Sequence, residues 1–405
     1  MISQVYVPDP AAVGQYMHEA AAELVRRGYR VVVLASARGY DDHKQKYPSA
    51  ETLDGVTVRR LPLSSFGKSS IKMRLLGQML FLAQVVLRGL FVGNLKGILV
   101  STSPPMASAA ALTIRLFRRS PIAYWVMDIN PDQMLELGLA TEQSKSVKVF
   151  NWLNRRILGA ASSVIVLDRF MGERINRKLD VTAKMGVMPP WPMEGVLEVV
   201  EHAENPFRAE HGAEPDDLVI MYSGNHSVAH PLKTVVDASV KMRDRDGLKF
   251  FFVGGGLAKR DVEDAIETHG EGNLTSLPYQ PMEHLKYSLS AADVHLVSVG
   301  NEAVGIVHPC KVYGAMAVAR PLLLIGPDPC HVSDIIAEHR IGWHITHGDV
   351  DGAVRVIDEI LATPRDELRE MGLRAQRLVT EGGLGMETLR GRFCDSVERG
   401  FGRSV

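Results

Sequence analysis

Apolar positions along the chain alternate between two periods. Continuous β-branched runs such as Val31 to Ala35 read as strands buried on both faces, and they alternate with stretches whose apolar residues recur every three to four positions. The first half predicts a strand stub at 3–7, a helix at 15–27 stopped by Gly28, and strands at 31–35 and 56–61. A helix at 71–92, a strand at 97–101 and, beyond Pro104 and Pro105, a helix at 107–117 follow. Then come a strand at 122–127, a helix at 146–158, a strand at 163–167 and a helix at 168–179. The polar stretch 39–49 reads as a loop. Strand and helix alternate throughout, which predicts an α/β fold with a parallel sheet covered on both faces.

The pattern breaks at Pro189, where PPWP is followed by an acidic, irregular stretch at 195–215. A second βα series then runs through strands at 218–222, 249–253, 273–277, 294–299, 322–325 and 342–345. Helices are expected at 232–242, 259–269, 282–291, 330–338, 349–362 and 365–379, with a terminal helix from Met386. This organisation gives a first doubly wound domain at 1–193, a linker at 194–216, a second at 217–385, and the terminal helix at 386–405. Two Rossmann-like domains facing across a cleft are the simplest architecture, and the 405 residues suffice for both cores.

Composition narrows the function classes. Lysine and arginine number 46 against 47 acidic residues, so nothing points to a nucleic-acid partner. Cys310, Cys330 and Cys394 form no ligand-spaced cluster and read as free thiols in a reducing compartment, hence a cytoplasmic protein. The opening MISQVYVPD has no signal-peptide pattern, and the chain begins inside its first strand, either because that strand is short or because residues precede it. No uncharged run is long enough to span a membrane. The helix at 71–92 gathers Arg74, Gly77, Gln78, Gln84 and Arg88 on one narrow face, with Phe81 intruding, and is apolar elsewhere. It either packs on the sheet alone or also touches a membrane surface as a peripheral contact.

Candidate chemistry lies where strands end. Ligands of open parallel sheets bind beyond the carboxyl ends of the strands, and helix N-termini favour anions. Ser223, Gly224 and Asn225 are expected to form a turn with free N–H groups, with His226 and His230 able to meet a phosphate. Gly254, Gly255 and Gly256 permit close backbone contact with a ligand or make a tight turn. The loop after 299 holds Glu302, a candidate for accepting hydroxyls of a ribose or sugar, and Gly305, and Lys311 opens the next helix as a candidate for a diphosphate. Arg320 reads as structural, and Asp328 as either a cap or a ligand. In the first half, Gly14 marks a close approach, and Asp128 ends a strand where a carboxylate can take a substrate hydroxyl or act as base. Asp132 and Glu136 are weaker candidates, Asp168 reads as a helix cap, and His18 as a cleft or surface residue. No metal spacing, P-loop or nucleophile elbow is present, which favours group transfer from a phosphorylated donor without a tightly bound metal.

The stretches VPDPAAVGQYMHEAAAEL, STSPP, WVMDINPD, YSGN, FFVGGG and HPCKVYGAMAVARPLLLIG, in this order, resemble family 4 retaining glycosyltransferases of the GT-B fold, in the bacterial branch that builds cell-surface polysaccharide. The resemblance implies a nucleotide-sugar donor, a UDP-sugar before a GDP-sugar, bound by the C-terminal domain. It implies a saccharide or polyprenyl-linked acceptor at the N-terminal domain. It places Gly14 near the donor phosphates, Asp128 near the reacting sugar, Gly254 to Gly256 near the base and Lys311 on the diphosphate. The family's basic pair falls on Asn225 and His230, and its second glutamate falls on Gly314, so neither is kept here. The resemblance also implies a terminal helix that returns to the first domain. Two other readings use the same architecture: a nucleotide-sugar 2-epimerase, and a nucleotide-sugar-binding subunit without activity.

Overall fold

The computed structural model describes residues 1–9, 11–39, 44–64, 71–136, 138–192 and 198–402, without the side chains of 71, 72 and 74. Part of the expected 39–49 loop, positions 194–197 of the expected linker and Arg74 of the polar helix face therefore lie outside the described residues. The chain divides into two compact units, residues 1–190 with 387–405, and residues 191–386.

The first unit carries strands β1 (Val32–Ser36), β2 (Ala50–Leu53), β3 (Val56–Leu61), β4 (Ile98–Ser101), β5 (Ile122–Trp125), β6 (Ser163–Val166) and β7 (Met185–Val187). They run β2-β3-β1 and β4-β5-β6-β7, parallel except for β2 against β3. The expected strand at 3–7 is instead a bridge at Ile2, paired to both Leu34 and Val100, which joins the two groups. The backbone N–H of Ile2 donates to Leu99 at 3.0 Å and that of Leu34 to Met1 at 3.0 Å. Beyond it the chain leaves the ladder, and the Ser3 hydroxyl turns back to the Val5 carbonyl at 2.6 Å. β2 and β7 lack the continuous apolar run that marks the central strands, and the sequence reading passed over both.

The helix Ala12–Arg26 begins three residues earlier than expected, with Gly14 inside it. The terminal helix Met386–Gly400 packs on this unit. Phe393 meets the fully buried Trp125 with ring centroids 4.3 Å apart, and the Ser396 and Ser163 hydroxyls lie 3.0 Å apart. The Arg27 guanidinium donates to Asp395 at 2.5 Å, Glu398 at 2.6 Å and the Gly391 carbonyl at 3.0 Å.

The second unit carries β8 (Leu218–Ser223), β9 (Leu248–Val253), β10 (Leu274–Leu277), β11 (Val294–Ser298), β12 (Leu322–Ile325) and β13 (Gly342–Ile345), all parallel, in the order β10-β9-β8-β11-β12-β13. The pleat sends Phe250 and Phe252 to one face, with Leu296, Leu323 and Ile357. Phe251 and Val253 go to the other, with Val219 and Met221, while Leu324, Tyr313 and Met316 extend that face. Both faces are dry, which is why these strands read as unbroken apolar runs.

The stretch expected as an irregular linker is tied to this unit. Pro206–Glu210 is a helix capped by the Asn205 side chain, which accepts the Phe207 N–H at 3.0 Å. Within it the fully buried Arg208 donates to the carbonyls of Ala291 at 2.7 Å, Glu214 at 2.6 Å and Asp217 at 2.8 Å, and to Asp293 at 3.3 Å. Arg365 adds a second pairing to Asp293. A polar composition had concealed a buried ion network that closes the amino ends of the strands.

Candidate functional site

The carboxyl ends of β8 and β9 meet through glycine. A Cβ on Gly254 (φ +127°) would stand 2.0 Å from the Gly224 carbonyl oxygen, and one on Gly256 (φ +131°) 2.4 Å from that of His226. Two loops can therefore touch backbone to backbone. The same contact consumes donors: the Gly224 N–H goes to Val253 at 2.9 Å, Gly254 to Leu277 at 2.9 Å and His226 to Gly255 at 2.8 Å. Gly224, expected to offer a free N–H, does not. Among the described residues the N–H groups of Asn225, Gly255 and Gly256 have no partner, so the open donors lie one step further along each loop.

Lys311 begins the helix Lys311–Ala317 and reaches across to this point. A Cβ on Gly224 (φ +136°) would lie 3.6 Å from its Nζ. The ammonium sits 3.8 Å from the centre of the Tyr222 ring and donates to the Tyr222 hydroxyl, which donates to the Asn225 carbonyl at 2.7 Å. Burial lowers the Lys311 amine to about 7. Tyr222 was missed as a positioning group, although a tyrosine closing an otherwise aliphatic strand beside SGN is a legible signal. Lys259 was also missed; its amine ties the Gly254 and Leu277 carbonyls at 2.7 and 2.6 Å and so holds the glycine loop.

The two histidines of this loop are not cations. Burial above all, then the Lys311 charge, lowers His226 to about 4 and His230 to about 3. The Nδ1–H of neutral His230 donates to the Ser298 carbonyl at 2.7 Å, which leaves Nε2 as an acceptor. A neutral His230 brings no positive charge to a phosphate and presents Nε2 as an acceptor. Ser223 closes β8 in register with Val253, and Asn225 is exposed. Glu302 is exposed in the turn Asn301–Ala303, and Gly305 is buried at φ +69°. Asp328 is no cap, since Cys330 caps the helix His331–His339. Arg320 is structural as expected and donates to the Ser290 carbonyl at 2.9 Å.

In the first unit Asp128 lies three residues past β5, half-buried, in a narrow pocket with Thr102, Pro105, Tyr124 and Asn130. The Thr102 hydroxyl accepts the N–H of Met127 and of Asp128, both at 3.1 Å, so the STSPP turn fixes the carboxylate's backbone. Burial raises Asp128 to about 6. Asp132 and Glu136 are engaged elsewhere, with Lys178 at 2.5 Å and Arg174 at 3.4 Å. Asp168 caps its helix by accepting the Met171 N–H at 2.8 Å. His18 is held between the Tyr6 hydroxyl at 2.9 Å and Asp54 at 2.7 Å. Gly14 does mark a close approach, but of the chain to itself: a Cβ there would stand 3.1 Å from the Tyr6 Cα.

Residues 11–191 match the glycosyl transferase 4-like domain, and residues 203–377 match the glycosyl transferases group 1. The probable glycosyltransferase WbjE of Pseudomonas aeruginosa is 25% identical over 270 residues, 65% of each chain. The putative colanic acid biosynthesis glycosyl transferase WcaI of Escherichia coli is 27% identical over 196 residues, 48% of each chain. The matched stretches thus span about half to two thirds of these relatives. Among solved structures, sucrose-phosphate synthase of Thermosynechococcus elongatus superposes with a TM-score of 0.77 at 17% identity, covering 100% of this chain and 99% of that one. Anabaena HepE in complex with UDP and glucose gives 0.71 at 15% identity, covering 98% of each chain. The two Rossmann-like units are those of the GT-B fold, and the chain belongs to the glycosyltransferase family defined by the 4-like and group 1 domains.

Proposed function

We propose that the protein moves a sugar from a UDP-sugar to a saccharide or polyprenyl-linked acceptor in cell-surface polysaccharide synthesis, with retained anomeric configuration. The observation that carries this reading is the Lys311 ammonium over Gly224, beside the open N–H groups of Asn225, Gly255 and Gly256. A leaving diphosphate gains negative charge as the glycosidic bond breaks, and preformed donors that meet this charge lower the barrier. The bond from the anomeric carbon to the β-phosphate oxygen breaks while the acceptor oxygen bonds to the same face. The acceptor's proton passes to the departing phosphate. His230 Nε2 accepts a donor-sugar hydroxyl, and Asp128 accepts one from the reacting sugar. Ser223, Gly305 and Glu302 border the donor, with Glu302 facing its hydroxyls.

The UDP and UDP-glucose complexes of HepE support the choice of nucleotide. The description of WcaI, a putative colanic acid biosynthesis glycosyl transferase, supports the pathway class. The diphosphate charge is met by Lys311, so turnover is expected to survive EDTA. The helix Ile71–Leu90 exposes Leu75, Leu76, Met79 and Leu87, which supports peripheral contact with the membrane that carries a lipid-linked acceptor. Thermal shift against a panel of nucleotide-sugars, followed by turnover on a polyprenyl-diphosphate saccharide, tests the assignment. Stabilisation by UDP-sugars and loss of turnover in Lys311→Ala are expected. Full turnover in that variant would overturn the diphosphate assignment, and epimerised donor without acceptor would replace transfer by epimerisation.

A further inference from the structure

In the first unit the helices Ile71–Leu90, Ala107–Arg118, Lys145–Ala160 and Arg169–Lys178 lie side by side, each touching the next. Their outward surface changes character across the layer. On the first two, Leu87, Leu116 and Phe117 are exposed, Leu116 by 74%, and Phe91, in the turn that follows the first, is exposed by 80%. On the third, Lys145, Lys148, Val149, Trp152, Arg155 and Arg156 are exposed. Their spacing of three to four residues makes one stripe along the helix. Trp152 is 57% exposed, and the Arg156 guanidinium stands 5.5 Å from its ring centre. An exposed tryptophan flanked by cations has no role in a core. It suits the boundary between water and hydrocarbon, where the ring is amphipathic and the cations reach phosphate.

Beside this stripe lies a groove of about 510 Å³ between the third and fourth helices, lined by Lys148, Trp152, Arg155, Arg174, Arg177 and Lys178 among others. Arg174 pairs with Glu136 and Lys178 with Asp132, but Lys148, Arg155 and Arg177 have no ion pair among the described residues. Three cations without an ion pair among the described residues line one concavity, with Trp152 in its third-helix wall, and the exposed apolar residues of the first two helices lie beyond that third helix. That is the charge pattern an anionic phospholipid headgroup complements, with the acyl region under Leu87, Phe91, Leu116 and Phe117.

We propose that this groove binds the phosphate of an anionic lipid at the bilayer surface, through Lys148, Arg155 and Arg177 with Trp152 at the interface. The proposal rests on the membrane contact inferred above and adds to it a site and a lipid class. Co-sedimentation with neutral phosphatidylcholine vesicles and with vesicles containing one third phosphatidylglycerol tests both. The full chain is expected to bind the anionic vesicles, and binding is expected to fall as salt rises. Arg155→Gln with Arg177→Gln is expected to weaken that partition by about thirty-fold, from the usual contribution of each cation near a charged membrane. Leu87→Asp with Phe91→Asp is expected to weaken binding to both vesicle types. Anionic binding undiminished in the arginine variant would overturn the groove while leaving the apolar contact standing. Binding to both vesicle types undiminished in the aspartate variant, with anionic binding lost in the arginine variant, would sink the helix 71–90 contact and leave the groove. Inorganic phosphate or glycerol 3-phosphate competing at concentrations equal to the lipid's would overturn the bilayer as the source. Unchanged circular dichroism and melting of each variant exclude unfolding as the cause.

Discussion

The position of Lys311 makes donor binding depend on pH in a direction opposite to stability. Burial lowers its amine to about 7, so near neutrality about half the free protein lacks the charge. A diphosphate supplies counter-charge within reach of Nζ and raises the pKa of the bound state. Affinity is then flat well below pH 7 and falls tenfold per pH unit above it, until the bound-state pKa is passed. From pH 7 to 8.5 the expected loss is about fifteen-fold, or ~1.6 kcal/mol at about 1.36 kcal/mol per unit. Stability moves the other way. The unfolded lysine titrates near 10.4, so between pH 7 and about 10 the unfolded chain binds the extra proton and the folded chain gains stability as pH rises. Calorimetry with UDP from pH 7 to 9, where its phosphates are ionised, reads the first effect. Buffers of different ionisation heat read the accompanying proton uptake, and denaturant melts of the free protein read the second effect. Lys311→Met is expected to bind weakly and to abolish both slopes. A wild-type affinity constant from pH 7 to 9, or the same slope in the methionine variant, would refute the burial argument and the assignment built on it.

Asp128, raised to about 6 by burial, gives the converse case: the folded protein holds the proton more tightly, so stability falls as pH rises from about 4 to 6. Asp128→Asn is expected to remove that slope and stabilise the fold at pH 7 by about 1–3 kcal/mol, while lowering kcat by about 10²-fold or more, read by urea melts and initial rates. Arg27→Met removes the guanidinium that ties the terminal helix through Asp395, the almost wholly buried Glu398 and the Gly391 carbonyl; a loss of about 2–3 kcal/mol in urea unfolding is expected. Gly254→Ala places a methyl 2.0 Å from the Gly224 oxygen at φ +127° and is expected to cost about 3 kcal/mol or more. UDP binding is expected to be lost with it by calorimetry, because the two loops must separate.

What the sequence could disclose follows from what each residue answers to. β12 lies between neighbours on both sides and under helices on both faces, so its run of Leu and Ile states its own limits, and the expected 322–325 coincides with Leu322–Ile325. β2 is an edge strand with the exposed alternation of AETL, and its pairing with β3 is decided by a partner rather than by its own pattern. Arg208 lies in a segment whose acidic composition suggested a linker, yet its guanidinium is held by the carbonyls of residues up to 83 positions away. No local pattern reports such a contact. The same division runs through the site. Glycines at 224, 254 and 256 are visible in the sequence as permissive backbone, but not whether a ligand or another loop fills the space they leave. In this fold the loops fill it, and the open donors move to Asn225, Gly255 and the N–H of Gly256. Lys311 stood out in the sequence as a candidate because it opens a helix directly after a strand-end loop, where anions are favoured. Its pKa was not legible, because that depends on Tyr222, 89 residues earlier, covering the ammonium. Chemistry carried by residue type can be read along a chain, whereas the charge state that makes it work is set by what packs around it.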